Sequence, residues 1–283
     1  MSKSAALREI ESLDPRADHQ RITFLVFAQE FPWDSQRSLE LALFRTFCAP
    51  SISRILCAAG EFERRPQKRY DDTEIIVSEI VEYGYDSPRG REMLRRMNQI
   101  HARFAIQNED YLYVLSTFLL EPVRWIDRYG YRPLTAIERE ALLHFWRAIG
   151  KRMGISDIPE SLAAFERFNL DYEQARFSFA ESNRAVGKMS IGLLASWMPW
   201  PLSRAVPLGI RAMLDERALT AFGFAPAPAI IRFTLDRGLR ARAAALRVLP
   251  RRRNPKLRSL VTRRSYPEGY SVEQLGPSSE RGG

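Results

Sequence analysis

Apolar residues return every three to four positions along almost the whole of this chain, and strict apolar–polar alternation is nearly absent. A period near 3.6 builds helices, whose apolar stripes must then be buried against other helices. Segment 39–59 carries Leu43, Phe44, Phe47, Ile52, Ile55 and Leu56 at helical spacing, interrupted by Pro50. Asp71-Asp72-Thr73-Glu74 offers N-cap chemistry ahead of Ile75, Ile76, Ile80 and Val81. A turn at 84–88 precedes a helix over 91–105. The apolar run 111–120 is expected to stop at Glu121-Pro122, because proline lacks a donor and clashes with the preceding turn. Thr135 and Glu138 have capping-box spacing and open a helix to about Met153. Further helices are expected near 160–186, 205–222 and 228–248. The expected fold class is all-α in a single helical domain over 21–250, with a flexible segment 1–20 before it. A basic to polar extension, 251–283, follows and is expected to be disordered from 276. The proline-rich section 199–228 is expected to wrap the side of the domain.

The 283 residues are 45% hydrophobic and 11% aromatic, enough to bury a large core. With only Cys48 and Cys57, and no CxxC or CxxCH, a disulfide scaffold, a Cys-rich zinc site and covalent c-type haem are excluded. Residues 1–11 have neither an apolar centre nor twin arginines, and no run reaches the roughly 18–20 apolar residues of a membrane span. Segment 189–198 comes nearest, but Pro199, Pro201 and Pro207 break it, so a core or interfacial segment is expected and the chain is expected in the cytoplasm. Of the net charge of +9, the stretch 237–264 holds eleven Lys and Arg and no Asp or Glu. The basic excess is therefore local. It suits peripheral contact with an anionic membrane or an acidic partner better than a nucleic-acid-binding fold built round a basic core, and no nucleic acid is expected.

Three histidines are present. His19 lies in a polar stretch, and His144 points away from the stripe Leu142, Phe145, Trp146, Ile149 and Met153, so it is read as exposed. His101 differs. At 100° per residue it shares a face with Leu94, Met97, Phe104 and Ala105, while Arg91, Glu92, Arg95, Arg96, Gln99 and Arg103 fall opposite. A buried imidazole needs a partner, which can be a carbonyl, a carboxylate or a metal. There is no HExxH, paired ExxH, phosphate-binding glycine loop or GxSxG, which removes the usual hydrolase, kinase and dehydrogenase readings. A site needing one protein nitrogen on an apolar helix survives. Haem b fits it, since a single axial histidine holds the iron and the porphyrin wants an apolar slot with cations for its propionates.

Six stretches in order carry a resemblance. They are Lys-Arg-Tyr-Asp-Asp-Thr at 68–73, Arg-Met-Asn-Gln-Ile-His-Ala at 96–102 and Asn-Glu-Asp-Tyr-Leu-Tyr at 108–113. Glu-Pro-Val-Arg-Trp at 121–125, Gly-Lys-Arg-Met-Gly-Ile at 150–155 and Tyr-Pro-Glu-Gly-Tyr at 266–270 complete the set. Over roughly residues 20–275 the chain resembles the MpaB/rubber oxygenase family, and it looks closest to the MpaB branch. The resemblance implies a globin-like core with added helices around haem b, and oxidative cleavage of a C=C bond in an isoprenoid or prenylated molecule by O2. It implies His101 as the iron ligand, with Arg69 and Thr73 as catalytic and cofactor-binding residues near the propionates or above the ring. The rubber oxygenases carry a lysine just before that threonine, where this chain has Asp72, and the carboxylate sometimes assigned as their base has no motif counterpart here, although Glu61 and Glu63 lie nearby. With no export signal read, a small intracellular terpenoid or prenyl substrate is expected rather than rubber. The alternative is a non-catalytic haem- or lipid-binding helical protein whose Arg-rich end makes the functional contact.

Overall fold

A computed structural model describes residues 3–250 and 252–277. Among them are fourteen α-helices and no strand, only an isolated bridge between Arg263 and Tyr266. In chain order they are α1 (Ala5–Glu11), α2 (His19–Phe24), α3 (Pro32–Thr46), α4 (Pro50–Ala59), α5 (Glu61–Arg64), α6 (Pro66–Tyr83) and α7 (Pro88–His101). Then come α8 (Asn108–Tyr129), α9 (Ala136–Arg152), α10 (Leu162–Arg176), α11 (Glu181–Ser196), α12 (Val206–Met213), α13 (Glu216–Phe222) and α14 (Ala229–Val248). The all-α expectation holds.

Helix α8 is the axis of the main core, with α3, α9, α10 and α14 packed around it. Its burial explains one departure from the sequence reading, because it runs straight through Pro122 instead of stopping there. The missing N–H costs one helical bond. Leu119, Leu120, Val123 and Ile126 are all buried, so ending the helix at Glu121 would expose far more than one bond restores. A second core, around Phe44, Phe47, Val186, Leu219 and Phe222, joins α3 to α11 and α13. Between the two cores Arg45 is nearly enclosed: its guanidinium donates to Glu173 at 2.7 and 3.1 Å and to Asp215 at 2.6 Å, and Tyr113 donates to Glu173 at 3.0 Å.

Helix starts differ where proline intervenes. Pro66 sits in the first turn of α6, where its fixed φ and absent N–H cost nothing, so α6 begins before Asp71 and leaves Asp71 and Asp72 buried in mid-helix rather than capping it. Pro50 likewise starts α4, turning the chain by 96° from α3. Segments 160–186 and 205–222 each resolve into two helices. The capping box at Thr135 and Glu138 forms as expected. Residues expected to be flexible at the N-terminus instead include α1, whose Ala6, Leu7 and Ile10 are buried. His19 and His144 are both partly buried rather than free: His19 bonds to Tyr85, and His144 faces Glu140 at 3.6 Å.

The extension after α14 folds back over α6 and α7. Lys256 N–H donates to Ala28 O at 2.7 Å, and Arg263 pairs with Glu74 at 2.8 Å. Ser265 N–H donates to Asp71 at 3.0 Å, and Tyr266 OH and Gly276 N–H reach Asp72 at 2.6 and 3.0 Å. Leu275 is fully buried, so order continues through residue 277. The rest of the expected polar end, 278–283, lies outside the described residues, as does Arg251. Arg258 also pairs with Glu74, at 2.8 Å, and within α14 Arg242 pairs with Asp34 at 2.9 Å.

Candidate active site

Helix α7 starts tightly and ends at the site. Ser87 Oγ accepts from Gly90 N–H at 2.9 Å, Pro88 occupies the first turn, and a Cβ on Gly90 would lie 2.0 Å from Gly84 O, so no side chain fits there. The helix ends at His101 rather than running to 105. Its last turn therefore presents His101 at a helix end, facing a cavity of about 240 Å³ with mainly apolar walls. From α4 come Ile52, Ile55 and Leu56, from α8 Tyr111, Leu115 and Phe118, and from α9 and its C-cap Trp146 and Met153. Helix α6 adds Arg69, Asp72, Thr73 and Ile76, one face of two successive turns. Gly276 and Pro277 of the returning extension close one side.

Cavities of this size are not packing accidents. Protein interiors hold few voids larger than a water molecule. At about 24 cal/mol per Å³, leaving 240 Å³ closed and empty would cost roughly 6 kcal/mol, comparable with the whole stability of many domains. The shape is that of a binding site.

Its polar groups divide into satisfied and unsatisfied. Three carboxylates line it, and each is tied to donors. Glu61 holds Arg65 at 2.7 Å, and Asp110 accepts from Tyr172 at 2.5 Å and Ser51 at 2.9 Å. Asp72 holds Lys68 at 2.8 Å besides Tyr266 and Gly276. Glu63 is exposed and lies away from the cavity lining. His101 is the opposite case: its Nδ1 is buried with no hydrogen-bond partner among the described residues, and the ring packs edge-on against Tyr111 at 5.5 Å. Burial, reinforced by the nearby Arg69 cation, pushes its pKa down to about 4, so the imidazole is neutral at physiological pH. That is the form a metal binds. Arg69 hydrogen-bonds Thr73 Oγ1, lies 5.6 Å above the Phe62 ring, and has no ion pair among the described residues. Burial pulls its pKa down, but it remains a cation. Thr73 Oγ–H in turn donates to Arg69 O at 3.1 Å.

The three residues singled out from sequence, Arg69, Thr73 and His101, thus line one cavity. Asp110 is not singled out from sequence as a site residue; it lies in the first turn of α8, whose N-cap is Gln107, and is buried. Sequence reasoning also missed Phe62, Trp146 and the closing Gly276-Pro277, whose places are set by tertiary packing. Among the described residues no group of three or more His, Cys, Asp or Glu could hold a bare metal ion, so a metal here would need a cofactor to supply most of its ligands.

Residues 41–251, which include all three, match the family model for the catalytic domain described as ER-bound oxygenase mpaB/B'/Rubber oxygenase. The chain belongs to this family. Its matched part stops short of the 266–270 motif. The ER-bound oxygenase mpaB' of Penicillium brevicompactum is 30% identical over 221 residues, 70% of this chain and 52% of the relative. The ER-bound oxygenase mpaB of Penicillium roqueforti (strain FM164) is 35% identical over 133 residues, 45% of each chain. That of P. brevicompactum is 34% identical over 145 residues, covering 48% of this chain and 37% of the relative. This MpaB/rubber oxygenase family member spans about half the length, or less, of these curated relatives.

Proposed function

We propose that this chain is a haem b-dependent oxygenase that cleaves a C=C bond in an apolar, prenyl-type small molecule with O2. The observation that carries the proposal is the pairing, in one apolar cavity, of a neutral imidazole whose Nδ1 is unpartnered with an arginine lacking an ion pair, both among the described residues. Each is an unmet demand of opposite kind, and a porphyrin with its iron and its carboxylates answers both. The family name supports the oxygenase half.

The residues present fit that group. His101 would hold the iron as the one protein ligand, and Arg69 would meet a propionate, its guanidinium donating to Thr73 Oγ1 while the Thr73 hydroxyl is itself anchored on the Arg69 carbonyl. Metal-bound imidazoles usually donate their second N–H to an acceptor, and His101 Nδ1 has none among the described residues, which would leave the ligand less basic than in sites that supply one. When bound, haem supplies the electron chemistry that lets O2 react with an alkene, for which no side chain has the means. The chain's own contribution is orientation and dryness. Ile76, Leu115 and Phe118 hold an apolar chain and exclude water, and Asp72 is neutralised by Lys68. One alkene and one O2 give two carbonyl fragments, a balance needing no external electrons.

The test is turnover of prenyl alkenes by the haem-loaded protein under ¹⁸O2. Two carbonyl fragments, each carrying one labelled oxygen before exchange with water, are expected, with none from His101→Ala. Haem-loaded protein that consumes no O2 with any alkene would refute the activity.

A further inference from the structure

Helix α11 changes character at Ile191. Up to there it is a core helix, with Asn183, Val186, Gly187, Ser190 and Ile191 buried, and a Cβ on Gly187 would meet Phe222 at 2.8 Å. From 192 to 213 not one residue is buried, although the stretch reads Gly-Leu-Leu-Ala-Ser-Trp-Met-Pro-Trp-Pro-Leu and ends in the apolar α12. Met198, Trp200 and Leu202 are 44%, 72% and 58% exposed, and a Cβ on Gly192 or Gly209 would touch nothing within 4 Å. Burial resumes at Leu214. An apolar stretch of this length in contact with water marks an interaction surface.

Its charge names the partner. Between Glu181 and Asp215 the sequence has no carboxylate, but it has Arg184, Lys188, Arg204 and Arg211. Lys188, Arg204 and Arg211 pair with no carboxylate among the described residues, and Arg204 lies 5.4 Å over the Trp200 ring. A second copy docking face to face would bring these cations together with nothing to neutralise them. An anionic bilayer meets every feature: tryptophan at the headgroup level, aliphatic side chains below it, arginine and lysine on the phosphates. No single described helix is long and apolar enough to cross a membrane, and the prolines turn the chain back, so the element lies on the surface rather than spanning it.

We propose that residues 192–213 are a membrane-surface-binding corner that seats this chain on an anionic bilayer. Trp197, at its base, donates from Nε1 to Gln67 at 2.7 Å and packs edge-on against Tyr70 at 4.7 Å, both on α6 beside Arg69. Helix α11 also packs along α4, whose other side walls the cavity. An apolar molecule leaving the bilayer at this corner has one helix to pass before it reaches the cavity. In the basic stretch after α14, Arg258 and Arg263 are both held by Glu74.

Flotation with vesicles of phosphatidylcholine and phosphatidylserine tests this independently of any cofactor or activity. The full chain is expected to float, less so with phosphatidylcholine alone. Trp200→Glu with Leu202→Glu should weaken binding about tenfold or more with unchanged thermal melting, because both side chains are exposed. Arg252→Gln with Arg253→Gln should float like the wild type. A wild type that stays with the unbound fraction, or a Trp200/Leu202 variant that floats equally well, would overturn the proposal. So would a wild-type dimer in sedimentation that these two substitutions break, which would assign the face to a second copy.

Discussion

Replacing His101 by leucine in the cofactor-free protein should stabilise it. A histidine placed for packing would have its ring nitrogens satisfied, and removing it would cost stability. Here Nδ1 is buried without a partner among the described residues, and the nearby Arg69 cation further disfavours protonating the ring. An unsatisfied buried polar group costs about 1–3 kcal/mol, and leucine, similar in volume, removes that cost without enlarging the cavity. At roughly 2–4 °C per kcal/mol for a domain of this size, the melting temperature should rise measurably. The sign should also depend on pH. The folded pKa of about 4 lies below the ordinary 6.5, so the unfolded chain binds the proton more tightly between those values. The wild type's share of stability from the neutral ring is complete above about 6.5 and is lost as pH falls toward about 4, so leucine's advantage should widen over that window. Differential scanning calorimetry of both proteins at several pH values measures this directly. A His101→Leu variant less stable by 1 kcal/mol or more at neutral pH (about one satisfied hydrogen bond) would show that the imidazole has a structural partner and would refute the reasoning.

Arg69→Met should leave cofactor-free stability within about 1 kcal/mol, since the lost charge-assisted hydrogen bond and cation–π contact are offset by removing a buried cation that has no ion pair among the described residues, yet weaken haemin binding about tenfold or more in a spectroscopic titration. Arg45→Met should cost about 3–5 kcal/mol in urea unfolding, because Glu173 and its neighbours are left as buried unpaired charge. Asp72→Ala should loosen the returning extension: it removes the one acceptor shared by Lys68, Tyr266 and Gly276 N–H, and limited proteolysis within 252–277 should accelerate while the helical content persists.

Much of the helix inventory was legible because one-sided burial writes itself as a 3.6-residue period, and the capping box at Thr135 is local chemistry. The errors fall where distant residues decide. Pro122 reads as a stop, but α3, α9 and α10 hold its helix together on all sides. Asp71 and Asp72 read as caps, but Pro66 starts the helix earlier, and the partners that let them be buried arrive from residues 265–276. For the site, Arg69 and Thr73 are one helical turn apart and His101 sits on an apolar face, so each was visible locally. That they share a cavity was visible only through resemblance. The closing Gly276-Pro277 had no local signal at all. Segment 189–198 read correctly as too short to span, but its exposed face appears only once the packing of α11 stops at Ile191.

The central claim, that His101 ligates haem in this cavity, is tested most directly by the absorption spectrum of protein purified from a haem-replete host, wild type beside His101→Ala. An intense Soret band in the wild type, lost or shifted in the variant, is the expected result. A colourless wild type that also fails to take up added haemin would contradict it.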